Sequence, residues 1–164
     1  MKCLSNPATF SINELLFAVS TNDILFHLQN EEITRRPPIT NRPARIAAHI
    51  LSQRSFYPLF PPPPRDGLPW GLNGVGASLD LPHFRLADIG NATPDFLVLP
   101  SMLGPFAKVV GHVVVVNPGI ASKPKGAGTW VEMVVKPKEV EVGAMDEDVA
   151  HDAAERTRVE VRRV

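Results

Sequence analysis

Two apolar runs, each cut short by turn chemistry, constrain this chain most. They are Phe96-Leu-Val-Leu99, inside Pro94–Ser101, and Val113-Val-Val-Val116, ahead of Asn117-Pro-Gly119. Both are too short for helices and rich in β-branched or large apolar residues, which predicts strands buried on both faces. Pro100 and Pro118-Gly119 break the chain where each strand leaves the sheet. Two such strands with only loop between them predict the centre of a layered α/β domain, a class that carries its chemistry on the loops just past the strands. Those loops hold no recognisable catalytic motif.

The chain has 164 residues, 44% of them hydrophobic, which is one domain's worth with enough apolar material for a core. Its 17 basic and 17 acidic residues cancel. A protein that grips nucleic acid mainly through phosphates is visibly basic, so autonomous DNA binding is disfavoured. Cys3 is the only cysteine, which excludes a disulfide framework or a cysteine-based zinc site within the chain and fits a reducing compartment. Residues 1–20 lack the basic segment and uninterrupted apolar run of a signal peptide. No stretch approaches the roughly 18 apolar residues of a membrane span. The expectation is a soluble intracellular protein with no membrane partner.

Along the chain, Phe10, Ile12, Leu15, Leu16, Phe17 and Val19 predict a strand segment. Ser20-Thr-Asn-Asp23 offers helix N-caps, and a short helix with Ile24, Leu25 and Leu28 on its buried face follows. Arg35-Arg-Pro-Pro38 interrupts the pattern. A second helix starts near Asn41 with Pro43 in its first turn, and Ile46, Ile50 and Leu51 recur at helical spacing. Residues 61–80, with polyproline Pro61–Pro64 and glycine-rich Gly67–Gly76, predict a long surface loop. A further strand is expected over Thr129–Val135. Residues 139–155, acidic and poor in aromatics, predict a mobile loop. Arg158–Val164 alternates charge with valine, as a half-exposed terminal strand does.

Candidate chemistry is sparse. The five histidines, His27, His49, His83, His112 and His151, form no i,i+2 or i,i+4 pair and no H-E-x-x-H pattern. His49 reads as a helix packing residue and His27 as a helix-surface or packing residue. Gly111-His112 resembles the start of a metal-binding Gly-His-x-His, but Val114 occupies the second ligand position. Ser101 lacks a G-x-S-x-G elbow and reads as a turn-capping serine. Gly126-Ala-Gly128-Thr129 leads into a strand, so it reads as a tight turn and not a phosphate cradle. Lys123 and Lys125 read as solvated, and Asp80, Asp88 and Asp95 bind metal only if folding gathers them. Gln53, Arg54, Phe56, Tyr57 and Phe60 admit two readings, an interface anchor or aromatics closing the core below the helix.

Several short motifs in order resemble a known family: Cys3-Leu-Ser-Asn-Pro-Ala-Thr-Phe-Ser-Ile-Asn-Glu14, Ser20-Thr-Asn-Asp-Ile-Leu-Phe-His-Leu28, Gln53-Arg-Ser-Phe-Tyr-Pro-Leu-Phe60 and Pro94-Asp-Phe-Leu-Val-Leu-Pro-Ser101. Pro105-Phe-Ala-Lys-Val-Val110, Val116-Asn-Pro-Gly119, Gly128-Thr-Trp130 and the end Arg158–Val164 continue the match. Together they resemble the B (second, accessory) subunits of DNA polymerase alpha–primase, fungal ones above all, over nearly the whole chain. Departures fall in Gly67–Gly76 and 139–155.

The resemblance implies an α/β fold, the C-terminal half of a calcineurin-like phosphoesterase sandwich with helices flanking mixed β-sheets. An oligonucleotide/oligosaccharide-binding fold and the first metal motifs of the superfamily belong upstream of such a segment. Half a sandwich is expected to leave the faces of strands 96–99 and 113–116 incompletely covered. In active phosphoesterases one strand ends in Gly-His-x-His and a later one in Asn-Pro-Gly. Here the later signature is present as Asn117-Pro118-Gly119, whereas Leu99-Pro100-Ser101-Met102 stands where the histidines belong. Proline offers no ligand atom, and methionine is a poor ligand for hard cations. The resemblance therefore implies a non-catalytic accessory subunit with no catalytic residue, cofactor or metal of its own. It would act in the nucleus, bind the C-terminal region of the polymerase catalytic subunit, reach primase through the complex, and touch DNA indirectly or weakly. The rival reading from another class is a metal-dependent phosphoesterase acting on phosphodiesters.

Overall fold

A computed structural model describes residues 3–62, 80–138 and 150–164. Five strands form one mixed sheet in the order β1-β2-β3-β5-β4: β1 (Ala8–Ile12), β2 (Leu15–Val19), β3 (Phe96–Val98), β4 (Phe106–Val110) and β5 (Val113–Asn117). Strands β2, β3 and β5 run parallel at the centre, and β1 and β4 close the edges antiparallel. Helices α1 (Ile24–Glu31) and α2 (Arg42–Gln53) lie on one face. A separate ladder of β6 (Thr129–Val135) and β7 (Thr157–Arg163) packs on the other, with the single-turn helix α3 (Ala153–Arg156) beside it. The arrangement is a partial phosphoesterase-like α/β sandwich. No described helix is long and apolar enough to cross a membrane.

The expected central strands are in place: Phe96, Leu97, Val115 and Val116 are fully buried. Alternation splits them between two cores. Leu97, Leu99, Val113 and Val115 face the helices, where they meet Ile24, Leu25, Ile46, Ile50 and Phe56. Phe96, Val114 and Val116 face the second ladder, where they meet Val131, Met133 and Val159. Each such buried side chain contributes about 1.5–3 kcal/mol. The expectation of incompletely covered faces is thereby overturned for both strands, because the β6–β7 ladder supplies the second layer from within the chain. Phe10, Phe17 and Phe96 stack across β1, β2 and β3, with centroids 5.7 and 4.7 Å apart.

Helix starts follow the sequence closely. Asp23 caps α1 by accepting from the Phe26 N–H, and Asn41 caps α2 by accepting from the Ala44 N–H, with proline in the first turn. Three expectations change. Residues 8–19 form a hairpin and not one strand segment, because Asn13 and Glu14 both take positive φ (48° and 70°), the geometry of a two-residue turn. The stretch between the two central strands is not loop alone: Phe106–Val110 folds back as β4, and Gly111 (φ 62°) turns it into β5. Of the two expected loops, 63–79 and 139–149 lie outside the described residues, but Ala153–Arg156 is helical and Ala153 is buried, so that end is packed. Leu81–Ala87 forms a 3-10 helix. β6 and the terminal strand β7 agree with expectation. On their outer face Glu132 and Glu160 stand directly opposite, and Arg162 bridges them at 2.5 and 2.9 Å.

Candidate functional site

In open α/β sheets, ligands bind beyond the carboxyl ends of the parallel strands. Here that end is made by Ser20–Asp23 after β2, Leu99–Gly104 after β3, and Asn117–Gly119 closing β5.

Asn117 is fully buried at its centre. Its Oδ1 accepts from the backbone N–H of Ser101 at 2.9 Å and of Gly119 at 2.8 Å. Its Nδ2 donates to the carbonyls of Leu103 and Gly104, each at 3.2 Å. One amide thus ties the β3 loop to the end of β5 and uses both of its donors and its acceptor. The next two residues complete the device. Pro118 ends the strand, and its carbonyl accepts from Thr129 Oγ1 at 2.8 Å. Gly119 has φ 76° and lies so close to Thr129 that a Cβ would collide with the Thr129 hydroxyl. The Asn-Pro-Gly signature therefore has a complete structural explanation.

Asp23, 5% exposed, makes the second tie. Its Oδ1 accepts from the Phe26 N–H at 3.1 Å, and its Oδ2 from the Met102 N–H at 2.8 Å, across 79 residues of sequence. Ser20 and Ser101 serve the turns, their hydroxyls accepting from the N–H groups of Asn22 (3.3 Å) and Leu103 (3.1 Å). The capping reading of Ser101 holds. Asn22 Oδ1 is the exception, enclosed with no hydrogen-bond partner among the described residues. A single neutral amide oxygen is far short of the ligand count of a catalytic cation site. No group of three or more His, Cys, Asp or Glu among the described residues can hold a metal ion.

The other sequence candidates are dispersed. His112 follows Gly111 in the β4–β5 turn, at the opposite end of β5 from Asn117, and Val114 is buried in the core. Asp80 meets His83 Nδ1 at 2.7 Å, Asp88 pairs with Ser55 in an isolated bridge, and Asp95 accepts from the Leu16 N–H and lies 3.0 Å from His151 Nδ1. Gly126 (φ 98°) and Gly128, packed against the Ala121 carbonyl, make the expected tight turn into β6, with Lys123 and Lys125 exposed. His27 is buried against Tyr57, whose hydroxyl lies 3.4 Å from its Nδ1. Burial lowers the His27 pKa below its ordinary 6.5, with Asp23 opposing, and burial, then Glu31, pushes the Tyr57 phenol up to about 12.

The five candidate interface residues separate. Phe56 is 3% exposed and belongs to the helix-side core, where Tyr57 packs against it as a half-buried neighbour. Arg54 takes φ 51° at the end of α2 and donates from Nε and Nη2 to the Gly90 carbonyl, at 2.9 and 2.6 Å. Gln53 is exposed, and Phe60 is 75% exposed. Sequence reasoning missed a cluster in which Glu32 receives Arg45 Nε and Nη2 at 2.6 and 2.8 Å and lies 3.4 Å from His49 Nε2. The Arg45 hydrogen bond is the main cause holding the Glu32 carboxyl below its ordinary value of 4.5. A glutamate ahead of an arginine-rich helix was the available signal.

Residues 1–108 match the family model that describes the B subunits of DNA polymerases alpha and epsilon. The DNA polymerase alpha B subunit of Schizosaccharomyces pombe is 41% identical over 160 residues, covering 98% of this chain and 27% of the relative. The mouse protein of the same name is 33% identical over 142 residues, covering 85% of this chain and 22% of the relative, and that of Saccharomyces cerevisiae 31% over 189, covering 98% and 26%. This chain spans about a quarter of the length of these relatives. With two-thirds of its residues under the family model and a relative above 40% identity along almost all of it, the chain belongs to the DNA polymerase alpha/epsilon B-subunit family.

Proposed function

We propose that this chain is part of a non-catalytic accessory subunit of the DNA polymerase alpha–primase complex, built on a degenerate phosphoesterase scaffold. It works in the nucleus in the initiation of DNA replication and in lagging-strand primer synthesis. The observation that carries the non-catalytic reading is Asn117, whose amide is consumed by four backbone groups at the strand ends where a phosphoesterase would hold its metals. Pro100, Ser101 and Met102 beside it offer no hard-cation ligand set. The relatives' shared name supports the polymerase alpha setting.

Its partner in this reading is the C-terminal region of the polymerase catalytic subunit, with primase reached through the complex and DNA contacted indirectly or weakly. Within Gln53–Phe60, Gln53, Arg54 and Phe60 are the exposed candidates, whereas Phe56 belongs to the core. The test is size-exclusion chromatography of the chain with that region of the catalytic subunit, alongside hydrolysis of a chromogenic phosphodiester in Mn²⁺. Co-elution that Phe60→Ser weakens, without turnover, is the expected result. Failure to co-elute would overturn the partner, and metal-dependent turnover would overturn the non-catalytic assignment in favour of a phosphoesterase.

A further inference from the structure

The segment between α1 and α2 combines three features that the fold does not require. Ile33 is 100% exposed although it is a large β-branched hydrophobe. Arg35 and Arg36 are exposed and make no ion pair among the described residues. Arg36 has φ 52°, a left-handed conformation uncommon for a non-glycine residue, and Pro37-Pro38, whose rings restrict φ, follow immediately. Between this segment and α2 lies an open cavity of about 360 Å³. Its apolar wall includes Ile39 and Ala48, both packed against the helix-side core, so it is anchored to the scaffold.

The charge of this groove is one-sided. Among the described residues Glu32 is the one carboxylate in its lining, with a side chain only 6% exposed and taken up by Arg45. Arg42, outside the lining, leans on the Gln29 carbonyl and lies 3.7 Å from Glu32. Arg35 and Arg36, both exposed, are in the lining of this largely apolar trough, in a chain of zero net charge. Such a surface matches a ligand that brings carboxylates and apolar side chains together, and the restricted φ of Pro37-Pro38 lowers the ordering cost of binding. A nucleic-acid backbone would match the arginines but offer nothing to Ile33 and the trough.

We propose that the groove between the α1–α2 segment and α2 is a docking site for an acidic peptide segment of a partner protein, with Arg35 and Arg36 pairing its carboxylates and the trough taking its apolar side chains. The inference goes beyond the accessory-subunit reading and does not depend on it. The test is fluorescence anisotropy of a short labelled peptide of alternating glutamate and leucine against the 164-residue chain. Competitors are the lysine-for-glutamate peptide and single-stranded oligothymidylate. Reversing both charges, Arg35→Glu with Arg36→Glu, should weaken binding about tenfold or more, whereas Arg35→Lys with Arg36→Lys should retain most of it. Ile33→Ser should weaken it severalfold with no change in melting temperature. Equal binding by the charge-reversed variant, or by the lysine peptide, would overturn the proposal. Tighter, arginine-dependent binding of oligothymidylate would overturn it in favour of a nucleic-acid surface.

Discussion

The carboxyl end of the parallel strands and the α1–α2 segment both present polar groups, but they use them in opposite ways. At the strand ends Asn117, Asp23, Ser20 and Ser101 direct their side chains at backbone N–H and carbonyl groups of neighbouring loops. Their chemistry is spent on holding the chain together. In the α1–α2 segment Arg35 and Arg36 have no such partner among the described residues, while Glu32 and Arg45 satisfy each other. A polar group that the fold has already consumed stabilises the fold. One that remains exposed is available for a partner. Where α/β sheets commonly carry ligands, this chain has a hydrogen-bonded joint, and a connection between helices carries the open charge.

The largest perturbation strikes the layer that supports both regions. Val115→Asp places an unpaired carboxylate at a fully buried position in the middle of β5 and should prevent stable folding, read as loss of a cooperative melt. A parent-like melt would show that β5 does not lie at the centre.

Asp23→Ala tests the strand-end region alone. It removes the α1 cap and leaves the Met102 N–H without its acceptor, which should cost about 2–3 kcal/mol in chemical denaturation. The cost of losing a cap alone, about 1 kcal/mol, would mean that the link to Met102 contributes little.

A smaller effect is expected with pH. His27 titrates below its ordinary 6.5 in the folded chain, so the unfolded chain takes up the proton first. Stability present above pH 6.5 should therefore fall as pH drops through that value, and His27→Gln should flatten melting temperature between about pH 7 and pH 5.5. The Glu32–Arg45 pair acts in a different window, because a lowered carboxyl stabilises above its ordinary 4.5 and loses that contribution as pH falls below it. A slope near pH 6.5 that survives in His27→Gln would assign it to another group.

The smallest effect completes the contrast. Arg35→Glu with Arg36→Glu should change stability by no more than about 0.5 kcal/mol, since neither side chain has an intramolecular ion partner among the described residues. A larger loss would place these arginines in the fold and close the difference between the regions.

Local signals made much of this scaffold readable in the sequence. Four-residue apolar runs ended by proline placed β3 and β5, and Asn41 with Pro43 placed the start of α2, because capping and burial are written in neighbouring residues. Long-range pairings were not readable. Nothing adjacent to Asp23 indicates that it accepts from Met102, and although Arg158–Val164 reads as a strand, nothing local indicates α3 or that this strand pairs with β6 to cover the second face. Asn117 was recognisable as part of a signature, but its four hydrogen bonds depend on where two loops meet. Phe56 and Phe60 show the same limit: similar residues four positions apart divide between core and solvent according to how the chain leaves α2.

If Asn117 is a structural joint and not a metal ligand, thermal unfolding of the parent and of Asn117→Ala, each with and without Mn²⁺, will separate the two roles. The substitution strands buried N–H and carbonyl groups and should cost about 3 kcal/mol, a drop on the order of 10 °C. That drop should be the same with and without the metal, and the parent should not be stabilised by it. A parent that Mn²⁺ stabilises saturably, together with an Asn117→Ala variant that melts like the metal-free parent and has lost the response, would make Asn117 a metal ligand.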